Sequence, residues 1–408
     1  MNKKKTIIIS GGNFNNKGAQ AMLFITAREI KEKIDNAEIF FDSQDRYRNT
    51  SQYGFEQIDR EALRNTLLYT SGEIGLIKLS YKAIRHGIRM LLEKNLYAAF
   101  SEYKYIGIVK KTKALFDISG YAVSSEFSNW HNQLYLDIIR GAGNSGINTY
   151  LLPQSFGPFD YTENRKGMLD YIGRSLKNVK KLYAREESGI KYLSEIGITA
   201  AKRSSDIVLQ SSFDDWKDYF GEDQSKKLTF ENYVWIVPNT KLLGFRSKDE
   251  ISELYNMIIE KLLKVGEKVL LVYNSNEDFI LCKSIVEKWG ECADIQLNDK
   301  ELNFNEYMEN VKKAKYVISS RYHSLVMAFK ECVPCIGIGW ADKYQELFEI
   351  LGQRDYVIQI FDMDSNEKLL TMIDYMESNY ANEKKTIYHK LLRIREDNCF
   401  DSILDEID

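Results

Sequence analysis

Thr6-Ile7-Ile8-Ile9-Ser10-Gly11-Gly12-Asn13-Phe14-Asn15-Asn16-Lys17-Gly18-Ala19-Gln20 runs from an apolar, β-branched segment through a glycine and asparagine loop into a helical pattern. Within and just beyond Ala19–Lys33, Leu23, Ala27, Ile30 and Ile34 recur at helical spacing. Ala37–Phe41 is short and apolar again. Strand, helix, strand over so few residues is a βαβ unit, and it predicts a parallel sheet.

Working outward, Ala114–Ser119, Thr149–Leu152 and Lys181–Ala184 read as further strands. From Phe213 to Asn232 the pattern lapses, and Asp214, Asp215, Asp218, Glu222 and Asp223 crowd a polar stretch that reads as the approach to a linker. A second series follows. Tyr233–Val237, Lys268–Tyr273, Lys315–Ser319 and Val333–Ile338 are expected strands; Lys248–Val265, Glu306–Ala314 and Ser324–Cys332 are expected helices. Met372–Tyr380 and Lys384–Glu396 read as two closing helices. The expected domains are 1–225, 226–380 and a closing helix over 381–408. Two α/β domains also suit the length of 408 residues, since a single core rarely grows past about 250–300. In such sheets ligands sit beyond the carboxyl ends of the strands, so two facing edges would share one cleft.

Composition narrows the class further. With 44% hydrophobic and 28% charged residues the chain has ordinary globular make-up. A formal net charge of −3 gives no global attraction to nucleic acid, and none is expected as a partner. Lys3-Lys4-Lys5 before an apolar run hints at a signal peptide, but the run stops at glycines and a buried strand explains it better. No stretch of about twenty apolar residues appears, so no membrane span is expected. Five cysteines form no disulfide framework, and a cytoplasmic location fits. Cys332-Val333-Pro334-Cys335 is a lone Cys-x-x-Cys at a strand entry, where both thiols read as core residues.

The strongest chemical signal is Ser319-Ser320-Arg321-Tyr322-His323-Ser324, where a buried strand meets a helix start. Free N–H groups there favour an anion, and Ser319 or Ser320 would cap the helix. Arg321 adds a planar fork of donors suited to phosphate or carboxylate. His323 adds a group able to move a proton near neutral pH. The loop Asn13, Asn16, Lys17, Gly18 and Gln20 is rich in amides, which suits hydroxylated ligands such as sugars. It lacks Gly-x-Gly-x-x-Gly and Gly-Lys-Ser/Thr, so neither a dinucleotide nor a P-loop fingerprint is present, and a ligand-free turn remains an equal reading. Pro153-Gln154-Ser155-Phe156-Gly157-Pro158 reads as a rigid turn that would aim Gln154 and Ser155 at the cleft. Glu126 and His131 are candidate bases. Lys78–Lys113 is locally basic and interleaved with apolar residues, which suits either a core-joined insertion or contact with an anionic membrane surface.

Val317–Ser324, then Val333-Pro334-Cys335-Ile336-Gly337-Ile338 and Lys343, resembles the polysaccharide pyruvyl transferase family, whose mark is Arg-x-His at a helix head, a Gly-x-Pro strand entry and a nearby Lys. Here Cys332 stands where the family has Gly. Asn16–Leu23, Gln154–Pro158, Tyr183–Ser188 and Ser205-Asp206 are also similar to it, so the likeness runs in order from about residue 6 to about 352. The resemblance implies a GT-B-like fold of two Rossmann-like domains with parallel sheets. It implies phosphoenolpyruvate as donor and a pair of glycan hydroxyls as acceptor; the basic segment separately suggests a lipid-linked acceptor met at the inner face of the membrane. Arg321, His323, Ser319 and Ser320 then become donor-site residues, with Lys343 and Arg185 as further positive charge. Asn13, Asn16, Lys17, Gly18, Gln20, Gln154 and Glu126 fall to the acceptor side. Many members have Asp after the loop glycine, whereas this chain has Ala19. No resident cofactor or metal is required by a ketal-forming transfer. The competing expectations are a nucleotide-sugar glycosyltransferase, with Glu277 or Asp278 contacting a ribose, and a catalytically silent glycan-assembly protein.

Overall fold

Ile7, Ile8 and Ile9 are wholly buried, as a strand covered on both faces of a parallel sheet requires. They lie in β1 (Lys5–Ser10), followed by β2 (Ala37–Ser43), β3 (Phe55–Asp59), β4 (Thr112–Asp117), β5 (Tyr121–Val123), β6 (Asn148–Phe156), β7 (Lys181–Ala184) and β8 (Lys202–Arg203). The second series is β9 (Val234–Val237), β10 (Val269–Leu271), β11 (Ile295–Leu297), β12 (Val317–Ser319), β13 (Cys335–Gly339) and β14 (Val357–Gln359). This computed structural model describes residues 4–407 apart from Arg46, Leu96, Ala98, 221–229 and Met363. The expected boundary at 225/226, together with Glu222 and Asp223, lies outside the described residues, as does Lys3.

Two units emerge. The first comprises the chain through Phe14, Met22–Ile207 and the segment from Asn398 onward; the second comprises Asn15–Ala21 and Val208–Asp397. Among the described residues the first unit's sheet runs β3-β2-β1-β4-β6-β7-β8 with β5 beside β6, and every pairing is parallel. The second runs β11-β10-β9-β12-β13-β14, also all parallel. In that order the chain leaves β9 in one direction to β10 and β11, then returns to β12 on the other side. The point where the order reverses, between β9 and β12, is where open parallel sheets hold ligands.

Three local differences from the sequence reading have physical causes. Pro153 does not open a turn. β6 continues through Phe156, and its register with β7 shifts between Leu151 and Gln154, which accommodates a residue with no N–H to give. The two expected closing helices are one, Ser365–Glu396. Ala381, Asn382 and Glu383 contain no breaker, and Glu383 is tied in by Gln353 Nε2 (2.6 Å) and the Tyr356 hydroxyl (3.1 Å). The helix after β12 starts at Tyr322, with Arg321 rather than a serine as its extended N-cap.

Candidate functional site

The second unit builds its site from the carboxyl ends of four adjacent strands. After β12, Ser319 and Ser320 are wholly buried and hold the turn rather than face outward. The Ser319 hydroxyl accepts from Arg321 N (2.9 Å), while the Ser320 hydroxyl pairs with Tyr255 Oη (2.9 Å). The Ser320 carbonyl accepts from Asn239 Nδ2 (2.9 Å) and Tyr344 Oη (2.8 Å). Their role is to fix the backbone from which Arg321 projects.

Arg321 is held along one edge. Its Nη2 donates to Asp278 Oδ1 (2.6 Å) and Ser275 Oγ (3.1 Å), both supplied by the segment after β10. Asp278 is wholly buried and does three tasks at once. It completes a capping box with Ser275 at the head of the helix Asn276–Glu287, accepts from Thr240 N (3.1 Å), and pairs with Arg321. Arg321 Nε is buried and has no hydrogen-bond partner among the described residues. An orphaned buried donor costs about 1–3 kcal/mol, so the guanidinium is held in this place against a local penalty.

The first turn of the helix Lys17–Lys33 packs into this unit. Asn16 Oδ1 caps it by accepting from Gly18 N (3.0 Å) and Ala19 N (3.2 Å). Gln20 Oε1 accepts from Phe304 N (2.8 Å) and so serves the head of another helix. Lys17 Nζ donates to the carbonyls of Tyr273 and Asn274, each at 3.1 Å, and lies 5.1 Å from the Tyr273 ring centre. Burial drives the Lys17 ammonium down to about 8, with Arg321 pushing the same way and Glu301 and Asp278 opposing. Gly18 packs on His323: an added Cβ would overlap the ring's Cγ and Cδ2. After β13, Lys343 Nζ lies 4.3 Å from the Trp340 ring centre and 5.7 Å from that of Tyr322. Lys17, Gly18, Arg321, His323 and Lys343 thus belong to one unit, and three of them carry positive charge.

The other expected site residues belong to the first unit. Arg185 is buried; it donates to Asp206 (2.7 Å), the Gly120 carbonyl (2.7 Å) and Ser155 Oγ (2.7 Å). Gln154 is wholly buried and donates to Asp117 Oδ1 (3.1 Å), which also accepts from Tyr135 Oη (3.1 Å). Burial raises the Asp117 carboxyl to about 6 despite the Ser119 donors, with Asp42 adding to the rise and Arg60 opposing it. Glu126 is exposed, and Asn13 and His131 are half-buried. Burial, then Arg60, lowers the His131 imidazole. A separate cavity of about 220 Å³ is lined by Gln44, Asp59, Arg60, Glu61, Arg89 and Trp130, among others. Cys335 is buried and Cys332 half-buried. Sequence reasoning missed Asp278 as the partner of Arg321, Lys17 as a neighbour of that pair, and Asp117.

Two all-parallel α/β units of this kind define a GT-B-type protein. The chain is similar to UDP-GlcNAc 2-epimerase from Methanocaldococcus jannaschii, at 12% identity and TM-score 0.56 over 91% of this chain and 92% of that one. It is likewise similar to UGT71G1 of Medicago truncatula, solved with UDP-glucose, at 12% identity and TM-score 0.53 over 100% and 99%. At that identity the likeness concerns the fold. No curated protein matches the sequence. The profile described as polysaccharide pyruvyl transferase matches residues 16–342, and the chain belongs to that family.

Proposed function

We propose that the protein transfers a pyruvyl group from phosphoenolpyruvate to two hydroxyls of a sugar in a polysaccharide precursor, closing a pyruvate ketal. Family membership supports pyruvyl transfer. The observation that carries the donor assignment is the Arg321 guanidinium, clamped at Nη2 by the buried Asp278 and standing in one unit with Lys17, His323 and Lys343. A donor bearing both a carboxylate and a phosphate calls for fixed positive charge at a rigid position, and Arg321, Lys17 and Lys343 provide it.

The chemistry follows from those groups. One sugar hydroxyl adds to C2 of phosphoenolpyruvate while C3 gains a proton. The second hydroxyl then attacks C2, the C2–O bond to phosphate breaks, and inorganic phosphate leaves with the electron pair. His323, two residues from Arg321 and packed on Gly18, is the acid for C3 or for the leaving phosphate. The nucleotide-sugar alternative loses one of its expected ribose contacts, because Asp278 is wholly buried and committed to Arg321 and Thr240.

The test is a transfer assay with phosphoenolpyruvate and a panel of glycan acceptors, reading phosphate release and the mass gain of the acceptor. Arg321→Ala and His323→Ala are expected to abolish both in protein that circular dichroism shows to be folded, with a lowered thermal midpoint for Arg321→Ala because it strands the buried Asp278. Full activity in either variant sinks the assignment. Thermal stabilisation by UDP-sugars but not by phosphoenolpyruvate would favour the glycosyltransferase reading instead.

A further inference from the structure

The helix Leu76–Leu92 in the first unit has three faces rather than two. Leu79, Ala83, His86, Gly87 and Met90 are buried against the unit. Ile77, Tyr81, Ile84, Ile88 and Leu92 recur at i, i+4, i+7, i+11 and i+15 and form a second apolar stripe that faces water, Ile77 at 89% exposure and Leu92 at 79%. Leu76 and Leu91 widen it, and Phe100 and Tyr103 beyond the helix are exposed as well. Contiguous apolar surface of this kind is seldom left to water on a soluble chain. The third stripe is basic: Lys78, Lys82, Arg85 and Arg89 follow one another at helical spacing beside the apolar one. Leu76–Leu92 contains no Asp or Glu.

The charges decide what covers the face. Lys82 Nζ donates to Asn65 Oδ1 (3.3 Å) and Arg89 pairs with Glu61 (2.7 Å). Lys78 and Arg85 are exposed and have no ion pair among the described residues. A second copy docking face to face would set one basic stripe against its twin, which is repulsive across a two-fold contact. An anionic bilayer offers what both stripes lack: acyl chains for the isoleucines and phosphate headgroups for Lys78 and Arg85. No described helix is long and apolar enough to cross a membrane, so the helix would lie in the interface plane. We infer that Leu76–Leu92 is a peripheral docking helix for anionic lipid surfaces, seated by its exposed apolar stripe and steered by Lys78 and Arg85. The inference stands apart from the pyruvyl-transfer reading, because lipid binding is measured with neither donor nor acceptor present.

Co-sedimentation of the full chain with vesicles of phosphatidylcholine and phosphatidylglycerol, against phosphatidylcholine alone, tests it. Binding is expected only to the anionic vesicles and is expected to weaken with added salt. Lys78→Gln with Arg85→Gln should weaken it about thirtyfold, from roughly one surface charge-equivalent each. Ile77→Asp with Ile84→Asp should abolish it. All four positions are exposed, and matched thermal midpoints confirm that the variants fold. Hydrogen exchange with vesicles present should protect 76–92. Three results would overturn the inference. One is equal binding, or none, to both vesicle types. Another is unchanged binding by the variants. The third is a concentration-dependent dimer that Ile77→Asp with Ile84→Asp dissolves, which would assign the face to a second copy.

Discussion

Gly18→Ala is the sharpest probe of the site, because it adds one carbon and removes nothing. The new Cβ would fall inside van der Waals contact of His323 Cβ, Cγ and Cδ2. The glycine lies in the first turn of a helix whose head is pinned by Asn16 Oδ1 and by Lys17 on the carbonyls of Tyr273 and Asn274. Because His323 Cβ is part of the clash, rotating the ring is not enough: the head of the helix that carries His323 must shift as well, and restoring ordinary carbon contact near 3.5 Å displaces the imidazole by more than about 1 Å. Misplacement of that size in a positioned catalytic group costs about a hundredfold in rate. Overpacking should also destabilise the chain by about 1–3 kcal/mol, which leaves it folded at assay temperature. The expected result is a kcat for phosphate release about a hundredfold lower, with a smaller loss of stabilisation by phosphoenolpyruvate, because Arg321 keeps its Asp278 clamp while the helix head shifts. A variant with the unmodified kcat would refute the reasoning, since it would mean that the ring's position on Gly18 does not matter to the chemistry.

Three further outcomes follow from individual groups. Lys17 is held down to about 8 chiefly by burial, so the apparent affinity for phosphoenolpyruvate should fall as pH rises through 8, and Lys17→Gln should flatten that limb in a pH profile of kcat/KM. His86 has ring nitrogens 3.1 Å from Asp59 and from Glu102; burial opposes its charge, but the two carboxylates outweigh it and raise it to about 10. Its contribution to stability is then whole below pH 6.5 and lost as pH climbs toward 10, and His86→Gln should cost about 3–5 kcal/mol at neutral pH in a denaturant titration, for it strands two carboxylates. Cys332 holds φ of 57°, a left-handed conformation that favours glycine, so Cys332→Gly should raise stability by about 1 kcal/mol by the same measurement.

The parallel sheets were legible because βαβ patterning is local: β1, its helix and β2 lie within about forty residues of one another, and apolar periodicity reports each directly. The Arg321 and His323 turn was legible for the same reason, since a buried strand, a helix head and two chemical side chains are contiguous. Their support was not. Asp278 is 43 positions from Arg321, and Lys17 is 256 from Tyr273. Such pairings are made by strand order, which a motif does not encode. The helix Leu76–Leu92 was ambiguous for a different reason. Its apolar residues form two stripes, one buried and one exposed, and a sequence pattern records apolarity without saying which stripe meets the core.

Asp278 shows why the geometry of Arg321 matters as much as its charge. An acid 2.6 Å from the guanidinium would oppose the binding of the anionic donor proposed above, so affinity alone would favour its loss. Yet Asp278 also fixes the head of its helix and the backbone at Thr240, and with Ser275 it fixes the orientation of the guanidinium through Nη2. Asp278→Asn separates the two effects. The amide keeps the size and an acceptor oxygen for Arg321, but it removes the negative charge and replaces one acceptor with a donor facing Ser275 N. Affinity for phosphoenolpyruvate should hold or tighten, while kcat falls by about ten- to a hundredfold as the fork loses its fixed orientation. The split between KM and kcat is the diagnostic. If KM rises and kcat is unchanged, Asp278 strengthens ground-state binding and the clamp argument fails.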